Sequence, residues 1–467
     1  MDYVIKNGTI FDPESKKMMV SNIGIKGNKI DIITPNPIEG NIEINAEGLT
    51  VVPGFIDIHI HEDPLTNGSI KFNTQETMLR MGVTTVVGGN CGFSPLNVGE
   101  YTNHVNETGC PINILLYIGY NTIRGTLAAS GGEHSSAYRL GNIYDHISKY
   151  EMDKLKPLVQ KGLDEGAIGL SFGLEYTPGC TTEEMIEMGS ILNNYEKTLI
   201  GTHFRYDADR CLESIKESIR VAKETRVPFQ FSHIGSCSGY GEKHMEDSLK
   251  LLTEAVENNI DIMTDCYPYD AFSTLIGSAV FDEGCFERWG VDYNSVFITE
   301  GKYKNKYCTR EIFEFLRLNE PNTRVVCFAM NEKAIYEAYK NPYVIVASDG
   351  KITNNQGHPR GAGTFPRVLG RVVKQNKVIT FEEAIEKMTL MPADRLGFKN
   401  KGRLKEGCDA DITIIDRENI IDNATYENPT ALPSGIEYVF VGGKLSLEKG
   451  KIVGYNNGKA IRRQEIM

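Results

Sequence analysis

The 467-residue chain has one tryptophan, nine histidines and no CxxC pair. Its ten cysteines are scattered. That gives no disulfide framework and fits reduced thiols in a cytoplasm. No apolar run reaches 18 residues and no apolar h-region stands near the start, so neither a membrane span nor secretion is expected. No GxGxxG follows the first strand candidate of the central region, which removes the dinucleotide-binding signature. Internal repeats and low-complexity tracts are also absent. Basic charge is in deficit: 50 Lys and Arg stand against 62 Asp and Glu, for a net −12. Nucleic acid and anionic membranes are therefore not expected partners. Oligomeric state is not legible at this level.

What is present is an ordinary globular composition, 40% hydrophobic and 24% charged, long enough for one large domain or two to three small ones. Residues 1–53 read as short strands separated by Gly and Asn turns, in KNGTIFDPESKKMMVSNIGIKGNKIDII. From residue 54 the texture changes. Apolar strands such as TTVVGGNCG, INILLYIGY, AIGLSFG, LIGTHFR, PFQFSHIG, IDIMTDCYPY and YVIVASDG alternate with amphipathic helices. Continuous apolar runs suit buried parallel strands. Eight strand–helix pairs predict a (β/α)8 TIM-like barrel over 54–399, with a doubly wound open sheet as the alternative. Residues 276–340 are long between the seventh and eighth strands and predict an insertion over one mouth. After residue 400 short strands return. The expectation is an α/β protein in which 1–53 and 400–467 form one small β-sandwich domain.

The richest stretch is VVPGFIDIHIHEDP, Val51 to Pro64. On a strand, His59 and His61 point the same way, about 6–7 Å apart along the chain, which suits two imidazoles sharing one ion. In a barrel, functional side chains stand at the C-terminal strand ends. Those positions carry His59 and His61, Cys91 in GGNCG, His203 in GTHFR, His233 in FSHIG and Asp349 in ASDG. His104, His134, His146, His244 and His358 fall in loops or helices. Each strand-end residue taken singly reads as well as a packed thiol, a hydrogen-bonded histidine or a turn aspartate. Together, His, thiolate and carboxylate are the donors a zinc-like ion takes, and three protein ligands with an open position is the catalytic pattern.

The motif PGFIDIHIHEDP resembles the signature of the amidohydrolase superfamily. GGNCG, GLSFGLEYTPG, THFR, SHIG, YPYDAFST, HPRGAGTFPRVLGR, PADRLGF, GRLKEGCDADITIID and DNATYENPTALPSGIEYVFVGGK narrow the likeness to the N-acyl-D-amino-acid deacylases, over about residues 1–460. The resemblance implies hydrolysis of a small N-acyl-D-amino acid. It implies one tightly bound Zn2+ on Cys91, His203 and His233, and a second, weaker position lined by His59, His61 and Asp349, with Cys91 available as a bridge. Asp349 falls on the catalytic aspartate and Arg360 on the carboxylate-binding arginine, with Tyr176, Tyr267 and Ser273 in supporting contacts. Arg205, two residues beyond His203, is a further candidate for the carboxylate. The sequence departs from the family at Gly235, where a lysine is usual, and at Tyr120, where a histidine is usual. Both bear on substrate. The D preference rests on the resemblance alone. A cyclic-amide hydrolase of the hydantoinase or dihydroorotase kind is the first alternative. Its usual bridging carboxylated lysine has no counterpart in INILLYIGYNTIR. A non-catalytic scaffold is the second, and it has no need of so complete a ligand set.

Overall fold

The computed structural model describes residues 1–127 and 143–466; His134 lies outside the described residues. Both ends of the chain enter one nine-stranded sheet. The strand Thr50–Pro53 joins them: it lies parallel to Tyr3–Asp12, with Thr9 opposite Thr50, and antiparallel to Ile412–Ile415, with Val51 opposite Ile414. On the first side the sheet continues through Lys17–Lys26 and Lys29–Thr34. On the other it runs through Ile436–Val441, Lys444–Glu448 and Lys451–Ile452. Ile5, Ile10, Ile23, Val51, Ile412, Ile414 and Phe440 form its apolar core. These are β-branched or aromatic residues, which suit a pleated, half-buried surface.

The central region is built on parallel strands. They are β1 (Phe55–Asp57), β2 (Val83–Gly88), β3 (Asn113–Leu116), β4 (Gly169–Gly173), β5 (Leu199–His203), β6 (Phe229–Phe231), β7 (Ile262–Cys266) and β8 (Val344–Val346). One sheet has the order β3-β2-β1. The other begins at Ile118–Gly119, which continues β3 after Tyr117, and runs β4 to β8 in chain order. Backbone hydrogen bonds bridge the two sheets on both sides. Tyr117 N donates to Gly88 O at 3.0 Å and Ile168 N to Leu116 O at 2.9 Å. Opposite, Asp349 N donates to His59 O at 2.8 Å and His61 N to Gly350 O at 3.0 Å. Nearly every residue of β2, β4, β5 and β6 is buried, as expected of strands covered on both faces.

The helices that follow carry sequence-coded starts. Thr181 and Thr380 each accept from the amide three residues on, and a glutamate reaches back to the cap, in helices Thr182–Gly189 and Phe381–Met388. Between β7 and β8 the chain makes a separate three-stranded antiparallel sheet, with Arg324–Cys327 between Phe272–Leu275 and Val296–Ile298. It has its own core around Ile276, Phe281, Trp289 and Phe313. Among the described residues no helix is long and apolar enough to cross a membrane.

Candidate active site

The residues singled out at strand ends converge. His59, His61, Cys91 and Asp349 form one group of donor atoms, all within 4.8 Å of one another, and Cys91, His203 and His233 form a second. Cys91 belongs to both. His59 Nε2 lies 3.3 Å from Cys91 Sγ and 3.5 Å from Asp349 Oδ1. His61 Nε2 lies 3.1 Å from the same carboxylate oxygen. His203 Nδ1 and His233 Nε2 are 2.8 Å apart. The rings of His59 and His61 are separated by 5.9 Å.

The backbone under these groups is unusual. Cys91, His233 and Asp349 have φ of 55°, 35° and 50°. Non-glycine residues rarely adopt this left-handed region. Holding three of them there costs of order 1–3 kcal/mol each and marks a geometry set by function rather than by propensity. The GGNCG loop shows how the turn is built. Gly89 (φ 77°) lies where a Cβ would come within 2.4 Å of Tyr117 O, and Gly92 (φ 80°) within 2.3 Å of Asn121 Oδ1. Only glycine meets both the positive φ and the closeness.

A second layer of carboxylates orients the rings. His203 Nε2 donates to Glu175 Oε2 at 3.0 Å, and His59 Nδ1 to Asp265 Oδ1 at 3.1 Å. Asp265 also accepts the His233 amide at 2.8 Å. With the outer nitrogen protonated against a carboxylate, the inner nitrogen presents its lone pair to the centre, the arrangement that metal-ligating histidines favour. When the rings carry protons on both nitrogens instead, burial still works against a thiolate at Cys91, but positive charge on His59 and hydrogen bonds from His203 and His233 outweigh it, and the thiol is held well below its usual range. The donor set therefore fits a zinc-like ion: soft and borderline donors, mostly buried, with the rings of His59 and His203 fixed by carboxylates.

Glu175 and Asp265 are absent from the sequence-derived site. Asp265 stands at the end of β7, so inspecting strand ends for carboxylates as well as histidines would have reached it. Glu175 lies two residues past β4, inside GLSFGLEYTPG, and nothing local distinguishes it.

A cavity of about 780 Å³ opens beside this centre, lined by His61, Tyr176, Ser273, Arg324, His358 and Arg360 among others. Arg360 begins the helix Arg360–Arg367. Its Nη2 lies 2.9 Å from Asp349 Oδ2, and the Tyr267 ring sits 4.5 Å from its guanidinium carbon. Arg360 Nε and Nη1 are buried and make no hydrogen bond to the described residues. Tyr176 packs at 4.5 Å against the His203 ring. Ser273 reaches both the cavity and the metal-proximal recess but donates its hydroxyl to Val325 O at 2.9 Å. His358, expected as an ordinary loop histidine, lines the cavity and is fixed through Nε2 to Ala271 O at 3.0 Å.

Arg205 does not join the site. Its guanidinium is consumed by Glu217 (2.8 Å), Pro178 O (3.0 Å) and Cys180 O (2.7 Å). Its spacing of two residues from His203 does not bring it to the same face, because β5 ends at His203 and strand alternation does not extend past the strand. Tyr120 is likewise structural: its hydroxyl donates to Glu184 Oε1 at 2.7 Å, beside the buried Arg124–Glu184 pair. Tyr120→Phe is expected to lower stability by about 1–2 kcal/mol and leave KM unchanged. Thermal unfolding with Michaelis analysis checks both, and a shifted KM would return Tyr120 to the pocket. At Gly235 a Cβ would meet Ile335 and Cys266 at 3.5 and 3.6 Å, so steric space does not demand glycine there.

Comparison with known proteins agrees with this geometry. Residues 316–446 match the Amidohydrolase family. The chain is 26% identical to a D-aminoacylase of Alcaligenes xylosoxydans xylosoxydans, over 99% of this chain and 98% of the relative. It is also 26% identical to an N-acyl-D-glutamate deacylase of the same organism, over 95% of this chain and 93% of the relative. Among solved structures, a D-aminoacylase studied for its binuclear metal centre matches with TM-score 0.85 and 25% identity over 99% of both chains. An N-acyl-D-glutamate deacylase from Bordetella bronchiseptica, bound to zinc and a phosphonate mimic of the tetrahedral intermediate, matches equally well. A D-hydantoinase matches at TM-score 0.62 and 17% identity, which speaks to fold alone. These likenesses point to a catalytic domain of TIM-barrel type. Over its full length the chain is similar in sequence and structure to N-acyl-D-amino-acid deacylases of the amidohydrolase superfamily.

Proposed function

We propose that this chain is a zinc-dependent hydrolase of the amide bond of an N-acyl-D-amino acid, releasing a carboxylate and a free D-amino acid. The observation that carries this reading is the pairing of two ligand groups sharing Cys91 with an arginine that turns two buried, unpartnered N–H groups beside them. Cys91, His203 and His233 would hold the tight ion; His59, His61 and Asp349 would line the weaker position. A zinc ion bound there lowers the pKa of its water to about 7 and polarises a carbonyl oxygen.

The remaining work falls to side chains. Burial raises Asp349's proton affinity, but the Arg360 guanidinium and then His59 and His61 outweigh it and hold the carboxyl well below the usual range. Asp349 therefore meets the substrate ionised and able to accept the proton of the attacking water. It then delivers that proton to the leaving nitrogen, the hard step in amide cleavage, because an amide anion does not leave unaided. Arg360 keeps free N–H groups at Nε and Nη1, on different edges of the guanidinium, and donates from one of them to the substrate carboxylate in a charge-assisted, directional bond that lysine reproduces poorly. Tyr267 supports the guanidinium from its face, and Tyr176 and Ser273 line the approach. Arg360→Lys is expected to raise KM about 10- to 100-fold. An unchanged KM would remove this role.

For the frame around the site, we infer that β1–β8 and their helices close as a (β/α)8 barrel over 54–399, that 1–53 and 400–467 form a small β-sandwich, and that 276–340 forms a lid. Hydrogen bonds at both seams, the shared nine-stranded sheet and the segment's separate core support this reading. Ten reduced, buried cysteines support a cytoplasmic location.

The test is a screen of zinc-loaded protein against N-acetyl-D- and N-acetyl-L-amino acids and dihydropyrimidines, read by amine release and ring opening. Turnover of the D series alone is expected. Turnover of the cyclic amides instead would overturn the reading.

A further inference from the structure

The segment between β7 and β8 reaches towards the metal ligands at Arg288, on its short helix Cys285–Trp289. Arg288 Nη2 lies 3.3 Å from Glu175 Oε1 and donates to Val280 O at 3.1 Å. Its Nε donates to Asp207 Oδ1 at 3.0 Å. The neighbouring Trp289 donates its indole N–H to the other oxygen, Asp207 Oδ2, at 2.6 Å.

Glu175 is the carboxylate whose Oε2 accepts from His203 Nε2. Its two contacts therefore fall on its two oxygens, the ligand ring on one and Arg288 on the other. The terminal torsion of a glutamate is broad, so a single contact leaves the carboxylate free to swing. The second contact fixes it. Arg288 is anchored in turn, because Asp207 lies past the end of β5, on the loop that follows His203. His203, Glu175, Arg288 and Asp207 thus close a ring. It leaves the end of β5, crosses to the inserted segment and returns to the chain just after β5.

Charge points the same way. Glu175 and Asp207 are both buried, and a buried carboxylate needs a counter-charge. Among the described residues Arg288 is the one lysine or arginine paired with either of them. It spans the two with N–H groups on one edge of a rigid, planar guanidinium. A lysine would bring the same charge to a single point and could not grip both carboxylates in a fixed geometry.

We propose that Arg288 is a positioning residue of the tight metal site: it holds Glu175, and Glu175 holds the ring of His203. This rests on the reading of Cys91, His203 and His233 as the tight zinc position. It makes the inserted segment part of the metal centre, since the group that fixes the ligand's carboxylate comes from that segment and not from β1–β8.

The test is a double-mutant cycle on zinc affinity, measured on the full chain by competition with a chelator. Glu175→Gln is expected to weaken the tight zinc about 10- to 100-fold. Arg288→Met is expected to weaken it about 10-fold, the lower end of the same range, and Arg288→Lys by less. The double variant is expected to match Glu175→Gln alone, because loss of Arg288 then has nothing left to act through. Arg288→Lys, which keeps the charge, carries the same cycle where Arg288→Met does not fold. A second readout is the visible spectrum of the cobalt(II)-substituted protein, which reports the ligand geometry at the tight position. Loss of Arg288 is expected to alter it, whereas a residue that only stabilises the fold would leave it as in the wild type. Additive losses in the cycle, or wild-type zinc affinity and cobalt spectrum without Arg288, would overturn the proposal while the zinc site stands. Wild-type zinc affinity in His203→Ala would remove the ligand assignment and the proposal together.

Discussion

Asp349→Asn is expected to reduce kcat for an N-acyl-D-amino acid by about 10³- to 10⁴-fold while the protein keeps its tightly held zinc. The substitution isolates proton transfer. Asparagine matches aspartate in size and tolerates the left-handed backbone at this position, where φ is 50°. Its carbonyl oxygen still accepts from Arg360, whose Nη2 lies 2.9 Å from Oδ2. Lost are the negative charge and the capacity to take a proton from water and return it to nitrogen. The tight position is spared because Asp349 belongs to the group with His59 and His61, not to the one with His203 and His233. Some stability loss accompanies the change, since the buried Arg360 loses its counter-charge. The measurement is kcat per zinc-loaded chain, with metal content determined on the same sample. Hydrolysis near the wild-type rate at equal zinc content would show that another group moves the proton.

Arg360 ties this step to binding. In the free protein its guanidinium is one reason the Asp349 carboxyl stays well below its usual range, which makes Asp349 a weak base. A substrate carboxylate arriving at a free N–H of Arg360 draws on the same positive charge. The attraction holding Asp349 ionised then weakens, and its proton affinity rises as the water has to be deprotonated.

How much of this was legible depended on whether a residue's role is local. Cys91, His203, His233 and Asp349 stand at or beside the ends of apolar runs, and few other jobs explain a histidine or thiol there. His59 and His61 were legible from period-two spacing, and although β1 ends at Asp57, the bridge between Ile60 and Gly350 keeps the stretch paired and both rings at the centre. Asp265 and Glu175 were not, because each acts through a histidine from another strand: Asp265 through His59 and Glu175 through His203. Arg205 misled because alternation was carried past the end of β5, where Glu217 from the following helix captures it. Arg288 lies in an inserted segment whose short strands pair antiparallel. No strand–helix rhythm there announces which side chains reach the site.

Cys91→Ala is expected to cost more bound zinc than His59→Ala. Cys91 Sγ is the one atom common to both ligand groups among the described residues, and His59, His203 and His233 favour its thiolate form. Removing it takes a ligand from each position at once, so bound metal after dialysis should fall below about half an equivalent per chain. His59 serves only the group with His61 and Asp349. Its removal leaves Cys91, His203 and His233 in place, with His203 still oriented by Glu175, and about one equivalent should remain. The backbone at Cys91 has a φ of 55°, and alanine there adds strain of its own. Cys91→Ser therefore serves as a second variant, since it keeps a polar side chain but offers a far poorer donor than a thiolate. Metal analysis alongside circular dichroism distinguishes ligand loss from unfolding. Equal zinc loss in folded Cys91→Ser and His59→Ala proteins would show that the two positions act as one site. The strong coupling would then run through Asp265, whose Oδ1 holds both the His59 ring and the His233 amide.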